Sequence, residues 1–422
     1  MLDATLTDTR TAAQGGSNDV RLIVPANDIA HPELSIVIPA LDEEITIGLF
    51  VDWCKQGLAA AGIEGEILII DSSHDRTAAI AVAHGARVLK TPKRGLGRAY
   101  IDAIPHIRGR YVLMGDADCT YDFRDIAPFV AALRAGSEFV MGSRFKGSIE
   151  DGAMPALHRY FGTPLTTWIL NLMYGTRFSD IHCGMRGLTL DAFKRMNLVS
   201  QSWEYASEMV LKSVHVGLKT VEVPVHFLKD QKGRTSHLMR SGWSAPWKAG
   251  WINLKAMLVF GADFFLMIPG VILLIAGLIP LCLLSFGPLT IGGLTLSLNA
   301  MLLSLFASVV GLQMFLIGVI AQCLYDGTAR KRRRWLALFV YTRTVVLSAV
   351  VFLFGLILAS RFVVAFVHAG SQFSDALIDV NHHAVFGLFL MIGSIMVFIC
   401  TLLIEAVGLY IPIPVRSTEN AS

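Results

Sequence analysis

Charge is scarce in this sequence, and the scarcity is local. Only 16% of the 422 residues are charged while 54% are hydrophobic, and the mean hydropathy is positive, which excludes an ordinary soluble protein. Residues 264–325 contain no Asp, Glu, Lys or Arg, whereas residues 1–255 carry a common mixture of charge. A water-soluble half therefore precedes an apolar one. Cysteine is sparse too: Cys54, Cys119, Cys183, Cys282, Cys323 and Cys400 form no CxxC or other ligand spacing, which argues against zinc modules and, in a reducing compartment, against disulfides. No apolar core follows Met1, so no secretory signal peptide is expected and residues 1–33 read as a disordered tail. The net charge of +3 is small, and the basic residues gather beside the apolar half, so nucleic acid is not the expected partner. The apolar half shows no GxxxG-like pattern and few polar residues, which points to anchoring and assembly rather than transport.

Crossing the hydrocarbon core takes about 20 apolar residues, and four segments qualify: 262–286, 298–324, 344–366 and 384–408. The connection between the second and third holds Arg330, Lys331, Arg332, Arg333 and Arg334, while the other two connections hold no Lys or Arg. By the positive-inside rule the basic loop is cytoplasmic, and an even number of spans puts both termini there as well. The expected organisation is a soluble domain over 34–228, a juxtamembrane segment over 229–260, four spans over 261–410 and a cytoplasmic tail over 411–422. Trp243, Trp247 and Trp251, four residues apart with Lys248 and Lys255 nearby, suit an interfacial helix; a tryptophan core stripe is the alternative, and Pro246 interrupts either.

In the soluble half, aliphatic runs at 34–40, 66–71, 86–90, 111–115 and 138–142 alternate with helical patterns at 43–61, 75–84, 97–107 and 124–134. Near-continuous apolar strands belong to a parallel sheet buried on both faces, and β/α alternation predicts an open, doubly wound α/β sheet whose ligands lie outside the carboxyl ends of the strands. "DEE", "DSSHD", "KRGLG" and "DAD" follow the first four strands in turn. In "DAD", Asp116 and Asp118 stand two apart and face the same way in an extended chain. Two hard oxygen ligands that leave coordination positions open suit Mg²⁺ or Mn²⁺ shared with a nucleotide diphosphate. A lone DxD is not specific; its place after the fourth strand, beside three other polar strand ends, carries the reading.

Residues 34–240 resemble the family 2 glycosyltransferases of the GT-A (Rossmann-like) fold, in particular the polyprenyl-phosphate glycosyltransferases such as dolichyl-phosphate mannose synthase. The resemblance rests on "VIPALDEE", "IIDSSHDRT", "KRGLGRAY", "GDADCTYD", "MGSRF", "DIHCGMRG", "WEYASEM" and "KGRTSHL" in that order. It implies that Pro39, Ala40, Glu43, Asp71, Asp75 and Asp116 bind the donor nucleotide, and that Asp116 and Asp118 hold the metal with Thr120 near it. It further implies that Arg144, Arg159, Thr163 and Arg234 receive the acceptor phosphate, with Asp116, Asp118, Arg144, Arg159 and Arg234 forming the catalytic set. Asp42 and Arg76 stand where the family usually has Asn and Gly, which leaves the base open. His182, Cys183 and Glu208 read as packing groups; for Arg144 and Arg186 a structural ion pair is the competing reading.

The implied reaction is an inverting transfer of one hexose from a UDP-glucose or GDP-mannose type donor to dolichyl, undecaprenyl or another polyprenyl phosphate at the cytoplasmic face of the membrane, UDP-N-acetylhexosamine being a further donor candidate. The acceptor phosphate is mostly dianionic at neutral pH, so it needs orientation more than a base. A processive polysaccharide synthase is the rival: "KRRRW" over 331–335 nearly mimics QxxRW, but it lacks the Gln and lies between spans two and three, where it suits an anchor beside anionic lipid. A non-catalytic lipid-carrier transport or scaffold protein is the rival of another class. Oligomeric state, including a homo-oligomer, is open.

Overall fold

The computed structural model describes residues 20–231, 233–234, 263–325, 330–368 and 378–410, together with single positions between 251 and 261. The chain divides into two compact units, Met1–Met257 and Leu258–Ser422.

The first unit is built on an eight-stranded sheet. In chain order its elements are β1 (Arg21–Ile23), β2 (Leu34–Ala40), α1 (Ile47–Ala60), β3 (Gly65–Asp71), α2 (Thr77–Ala83), β4 (Arg87–Lys90), α3 (Leu96–Ala103), β5 (Tyr111–Met114), α4 (Ala127–Arg134), β6 (Phe139–Ile149), α5 (Thr163–Tyr174), β7 (Arg186–Thr189), α6 (Leu190–Met196), α7 (Tyr205–His215) and β8 (Thr220–Phe227). All seven residues of β3 are buried and β2 is almost as deep, as strands covered on both faces must be. The spatial order is β1-β4-β3-β2-β5-β7-β6-β8. Strands β4, β3, β2 and β5 run parallel. After β2 the order reverses from β3 on one side to β5 on the other, which opens a crevice outside their carboxyl ends.

The sheet departs from the all-parallel expectation. β7 lies between β5 and β6 and is antiparallel to both, so the 138–142 run does not neighbour the 111–115 run. A four-residue strand, RGLT, has too short an apolar run to be read from periodicity. The segment read as a tail also contributes: Arg21–Ile23 forms an antiparallel edge strand on β4. Helix spans agree within a few residues, and 97–107 resolves into α3 and a 3₁₀ turn at Ile104–His106.

The second unit holds α8 (Ile268–Leu284), a hairpin of β9 (Leu289–Ile291) and β10 (Leu294–Leu296), α9 (Leu298–Tyr325), α10 (Arg330–Leu338), α11 (Tyr341–His368) and α12 (Ile378–Tyr410). Four helical stretches, Phe264–Leu284, Leu298–Leu324, Tyr341–His368 and Asn381–Tyr410, are long and apolar enough to cross a membrane. The expected absence of small-residue packing is overturned. A Cβ on Gly270 would stand 2.7 Å from the Phe315 nitrogen, one on Gly277 2.5 Å from the Ser308 nitrogen, and one on Gly311 2.3 Å from the Leu274 nitrogen. Gly355 and Gly387 face each other across α11 and α12, each Cβ position 2.6 Å from the other's carbonyl. These contacts hold backbones together where lipid offers no hydrophobic drive. Each glycine pairs with a residue on another helix, so no motif within one helix announces it.

The "KRRRW" loop is also more ordered than an anchor requires. It forms α10, where Arg332 is buried and Trp335 donates from Nε1 to Gln322 Oε1 at 2.9 Å. Of the tryptophan stripe, Trp251 is helical and exposed; Trp243 and Trp247 lie outside the described residues, as does the 411–422 tail.

Candidate active site

Two strand ends build the crevice. β5 delivers its chain through Gly115 to Asp116 and Asp118; a Cβ on Gly115 would come within 2.6 Å of the Phe123 ring, so only glycine turns here. The backbone then passes through Cys119 at φ +59°, a left-handed conformation that costs a non-glycine residue energy. That turn lets the Thr120 amide and hydroxyl both donate to Asp118 Oδ1, at 3.0 and 2.6 Å. Thr120 therefore orients a carboxylate, leaving Oδ2 for other partners. β2 delivers Glu43 past Asp42, itself at φ +54° and held by the Ser73 hydroxyl, which accepts from the Asp42 amide at 2.7 Å.

Asp116 is the electrostatically frustrated member. Burial, then repulsion from Asp118, pushes its pKa up to about 7, although Arg234, Arg144 and Arg186 all pull it down. Asp118 is raised as well, by burial, with the Thr120 and Arg234 interactions opposing. Two acids that cannot both ionise without help form a site for added positive charge. Among the described residues no group of three or more His, Cys, Asp and Glu could enclose an ion alone. A divalent ion bound here would draw its remaining ligands from phosphate and water, which is the habit of Mg²⁺.

Arg234 crosses the mouth of this pair. Its Nε and Nη2 donate to the two oxygens of Glu43 at 2.8 and 2.6 Å, Nη1 donates to Asp230 Oδ1 at 2.6 Å, and Nη2 lies 3.5 Å from Asp118 Oδ2. Burial works against its charge, but the Glu43 bonds and nearby acids raise its pKa further. Glu43 is thus joined to Arg234, the arginine expected at the acceptor, whereas Glu43 itself was expected at the donor.

The structure distributes the other expected residues less evenly. Pro39 and Ala40 end β2, where they pair with Ile70 and Asp71 of β3. The buried Asp71 carboxylate pairs with Lys90 and accepts from the Ser73 amide at 3.1 Å. Asp75 caps α2 by accepting from the Thr77 amide at 2.9 Å. Arg144 meets Asp180 in a two-pronged buried pair, Nε to Oδ2 at 2.7 Å and Nη2 to Oδ1 at 2.8 Å, and its amide donates to Oδ2 at 3.1 Å. Those bonds use two of its three side-chain nitrogens. Arg159 lies over the Tyr160 ring, 5.6 Å from its centroid, and Thr163 is buried at the start of α5. Among the described residues no bond joins Arg159 or Thr163 to Asp116 or Asp118.

Among the described residues Arg186 forms no ion pair; it donates to the carbonyls of Cys183, Ala206 and Ile181 at 3.0, 2.6 and 3.1 Å, which fixes the 181–184 loop. His182 in that loop is held well below its ordinary pKa, at about 4, by burial, and is therefore neutral at pH 7. Glu208 caps the 199–200 turn, accepting from the Val199 and Ser200 amides at 3.0 and 2.8 Å. Sequence reasoning missed Gly184. A Cβ there would stand 2.6 Å from Asp116 Oδ2 and 3.1 Å from the Tyr121 ring, and its amide donates to the Tyr121 hydroxyl at 2.8 Å. The only signal was a glycine inside "DIHCGMRG". Asp180, the partner of Arg144, opens that same stretch, whereas Lys90, the partner of Asp71, carried no signal.

A doubly wound sheet with an acidic pair at its switch point, followed by four apolar helices, defines a nucleotide-dependent enzyme class joined to membrane-type helices. Residues 35–196 match the family model for glycosyl transferase family 2. The chain is 33% identical over 386 residues to the low-salt glycan biosynthesis hexosyltransferase Agl6 of Haloferax volcanii, covering 90% of this chain and 91% of that protein. It is 27% identical over 210 residues to a dolichyl-phosphate hexose transferase of the same organism, covering 48% of this chain and 86% of that protein. Among solved structures, mannosyl-3-phosphoglycerate synthase from Rubrobacter xylanophilus aligns with a TM-score of 0.42 at 22% identity, over 53% of this chain and 72% of that one. The chain belongs to glycosyl transferase family 2, and its mixed α/β domain is of the GT-A kind.

Proposed function

We propose that the protein transfers one hexose, with inversion, from a nucleotide-diphosphate sugar to a polyprenyl phosphate, on the cytoplasmic side of a membrane crossed by the four apolar helices. The observation that carries this reading is the half-buried, mutually repelling Asp116–Asp118 pair with Arg234 across its mouth. The name of one relative, a dolichyl-phosphate hexose transferase, supports the lipid acceptor.

Asp116 and Asp118 would hold Mg²⁺ or Mn²⁺, and the ion would offset the charge that develops on the departing diphosphate. Thr120 keeps Asp118 in one rotamer, and Gly184 leaves Asp116 the space to turn toward the donor. Pro39, Ala40 and Asp71 line the nucleotide end, where the Lys90 pair fixes the Asp71 carboxylate. On the acceptor side Arg234 is a cationic fork already at the acids, and the Asp180 clamp holds Arg144 with one nitrogen to spare. Arg159 and Thr163 would join only from α5 and the turn before it. With the acceptor phosphate dianionic, these groups align the attacking oxygen and no general base is required.

The test is product analysis with purified enzyme, nucleotide sugars and polyprenyl phosphate. One sugar on lipid phosphate together with free nucleoside diphosphate supports the reading. A polymer would establish a processive synthase, and no nucleotide release from any donor would establish a non-catalytic binding protein.

A further inference from the structure

The connection between the first two apolar helices has two unlike faces. β9 (Leu289–Ile291) and β10 (Leu294–Leu296) pair antiparallel, with Leu289 opposite Leu296, Thr290 opposite Thr295 and Ile291 opposite Leu294. Successive residues of a strand point to opposite sides. One face of the hairpin therefore carries Leu289, Ile291, Leu294 and Leu296, while the other carries the two threonines, whose hydroxyls bond each other at 3.3 Å. Gly292 and Gly293 close the hairpin at φ +56° and +85°, the positive pair that a two-residue turn of matching twist requires. Leu296 fixes which way the apolar face looks. It packs against Leu281 and Leu284 at the end of α8, Met301 at the start of α9, and Phe389 of α12, so the face turns toward the helices. Beyond Leu296 that face is largely bare: Ile291 is 60% and Leu294 65% exposed, and Phe286, just before the hairpin, is 85% exposed.

We infer that the β9–β10 hairpin lies on the bilayer surface opposite α10, with its aliphatic face among the lipid chains at the headgroup boundary and its threonines toward water. Three observations select lipid as the occupant. The hairpin is tied to the bilayer at both ends, because four residues separate it from Leu284 and one from Leu298. The apolar stretch Phe264–Leu284 has 21 residues and rises about 31 Å, which matches the hydrocarbon core and brings its end to the boundary where the hairpin starts. No Asp, Glu, Lys or Arg occurs over residues 264–325, so no charge opposes entry into the apolar zone. Four aliphatic side chains also fall well short of the roughly 800 Å² per partner that a stable protein interface takes. A two-stranded hairpin is marginal in water by itself, and lipid supplies the layer that its aliphatic face lacks. α9 has 28 residues and spans about 42 Å between the hairpin and the basic α10. The two ends of this unit would therefore meet the bilayer by different means, a basic helix at one surface and an uncharged hairpin at the other. Seating the hairpin would fix the depth of the α8–α9 pair, whose backbones already touch at Gly277 and Gly311.

The inference rests on the apolar helices crossing a bilayer and not on the reaction proposed above, and its test reads contact rather than turnover. Full-length protein carrying the photoreactive residue p-benzoylphenylalanine in place of Ile291, Leu294, Thr290 or Thr295, one position at a time, is reconstituted in phosphatidylcholine vesicles, irradiated and weighed by mass spectrometry. All four positions are exposed, and two on each face leave a comparison standing if one variant fails to fold. Lipid adducts are expected at Ile291 and Leu294 in at least about fivefold higher yield than at Thr290 and Thr295, since neighbouring strand positions face opposite sides. Equal yields on the two faces, or no lipid adduct at any position, would overturn the inference. Chain-to-chain adducts at Ile291 or Leu294 would assign the face to a second copy and overturn it as well.

Discussion

Removing the Arg144 guanidinium tests whether that residue serves the fold, the acceptor or both. Asp180 is fully buried and Arg144 nearly so, and their two side-chain bonds are 2.7 and 2.8 Å long. Loss of one partner from a buried pair costs about 3–5 kcal/mol, because the other charge stays buried without compensation. In Arg144→Gln the Asp180 carboxylate still accepts from the Arg144 and His182 amides at 3.1 and 3.3 Å, so the lower end of that range applies. At roughly 2–4 °C per kcal/mol for a domain of this size, a loss of about 3 kcal/mol lowers Tm by roughly 6–12 °C. Thermal unfolding of the full-length protein in detergent, followed by tryptophan fluorescence, measures this. Asp180→Asn and the double variant complete a cycle whose non-additive part belongs to the pair. Burial raises the Asp180 pKa, but the Arg144 bonds outweigh it and leave the value below the ordinary 3.8. The contribution of the pair is therefore fully present above pH 4 and fades as pH falls through the lowered folded-state value, so the penalty should shrink in acid. An Arg144→Gln protein with unchanged Tm and a raised KM for lipid phosphate would refute a structural pairing and leave Arg144 wholly to the acceptor.

Four further outcomes are expected. Asp118→Ala abolishes transfer while Tm is held or rises, since the repulsion on Asp116 is relieved; unchanged turnover would remove the metal role. Because Asp116 titrates near pH 7, divalent-ion affinity should fall as pH drops from 8 to 6, with about one proton released per ion at the lower pH, measured by calorimetry in two buffers. In the ion-free protein the folded state holds a proton that the unfolded chain has lost, so stability should decline as pH rises from about 4 to 7; a pH-independent affinity would contradict this. Gly184→Ala forces a methyl against Asp116 Oδ2 and should weaken ion binding by about 10- to 100-fold, as disturbance of the groups around a metal ligand does, with a modest Tm change; wild-type affinity would show that the loop yields.

What was legible in the sequence follows from range. β2, β3 and β5 each bury an apolar run of at least three residues and β4 a shorter one between Arg87 and Lys90, so the apolar pattern located them, and the polar clusters after them were placed by the same rule that puts ligands at strand ends. β7 was hidden because it owes its existence to two neighbours rather than to its own four residues. The four apolar helices were plain from hydropathy, but their glycine contacts pair residues far apart in the chain, such as Gly355 with Gly387. Composition also records that Ile291 and Leu294 are apolar without recording which way they face.

The same distinction explains the site. An acidic pair two residues apart is a local signal, and it was read. The groups that set its chemistry come from distant segments: Arg234 lies 191 positions from Glu43, and Asp180 lies 36 from Arg144. Around the pair Asp116, Asp118, Glu43 and Asp230 supply four acids, and Arg234 touches three of them. Arg144 and Arg186 are already engaged, one with Asp180 and the other with main-chain carbonyls. The local balance is thus acidic, and Asp116 bears the deficit as a raised pKa. An ion bound at the pair would supply the missing charge and weaken the claim of Asp118 on Arg234, so under the proposed roles donor-side occupancy and the freedom of Arg234 to meet an acceptor phosphate would be coupled through one carboxylate.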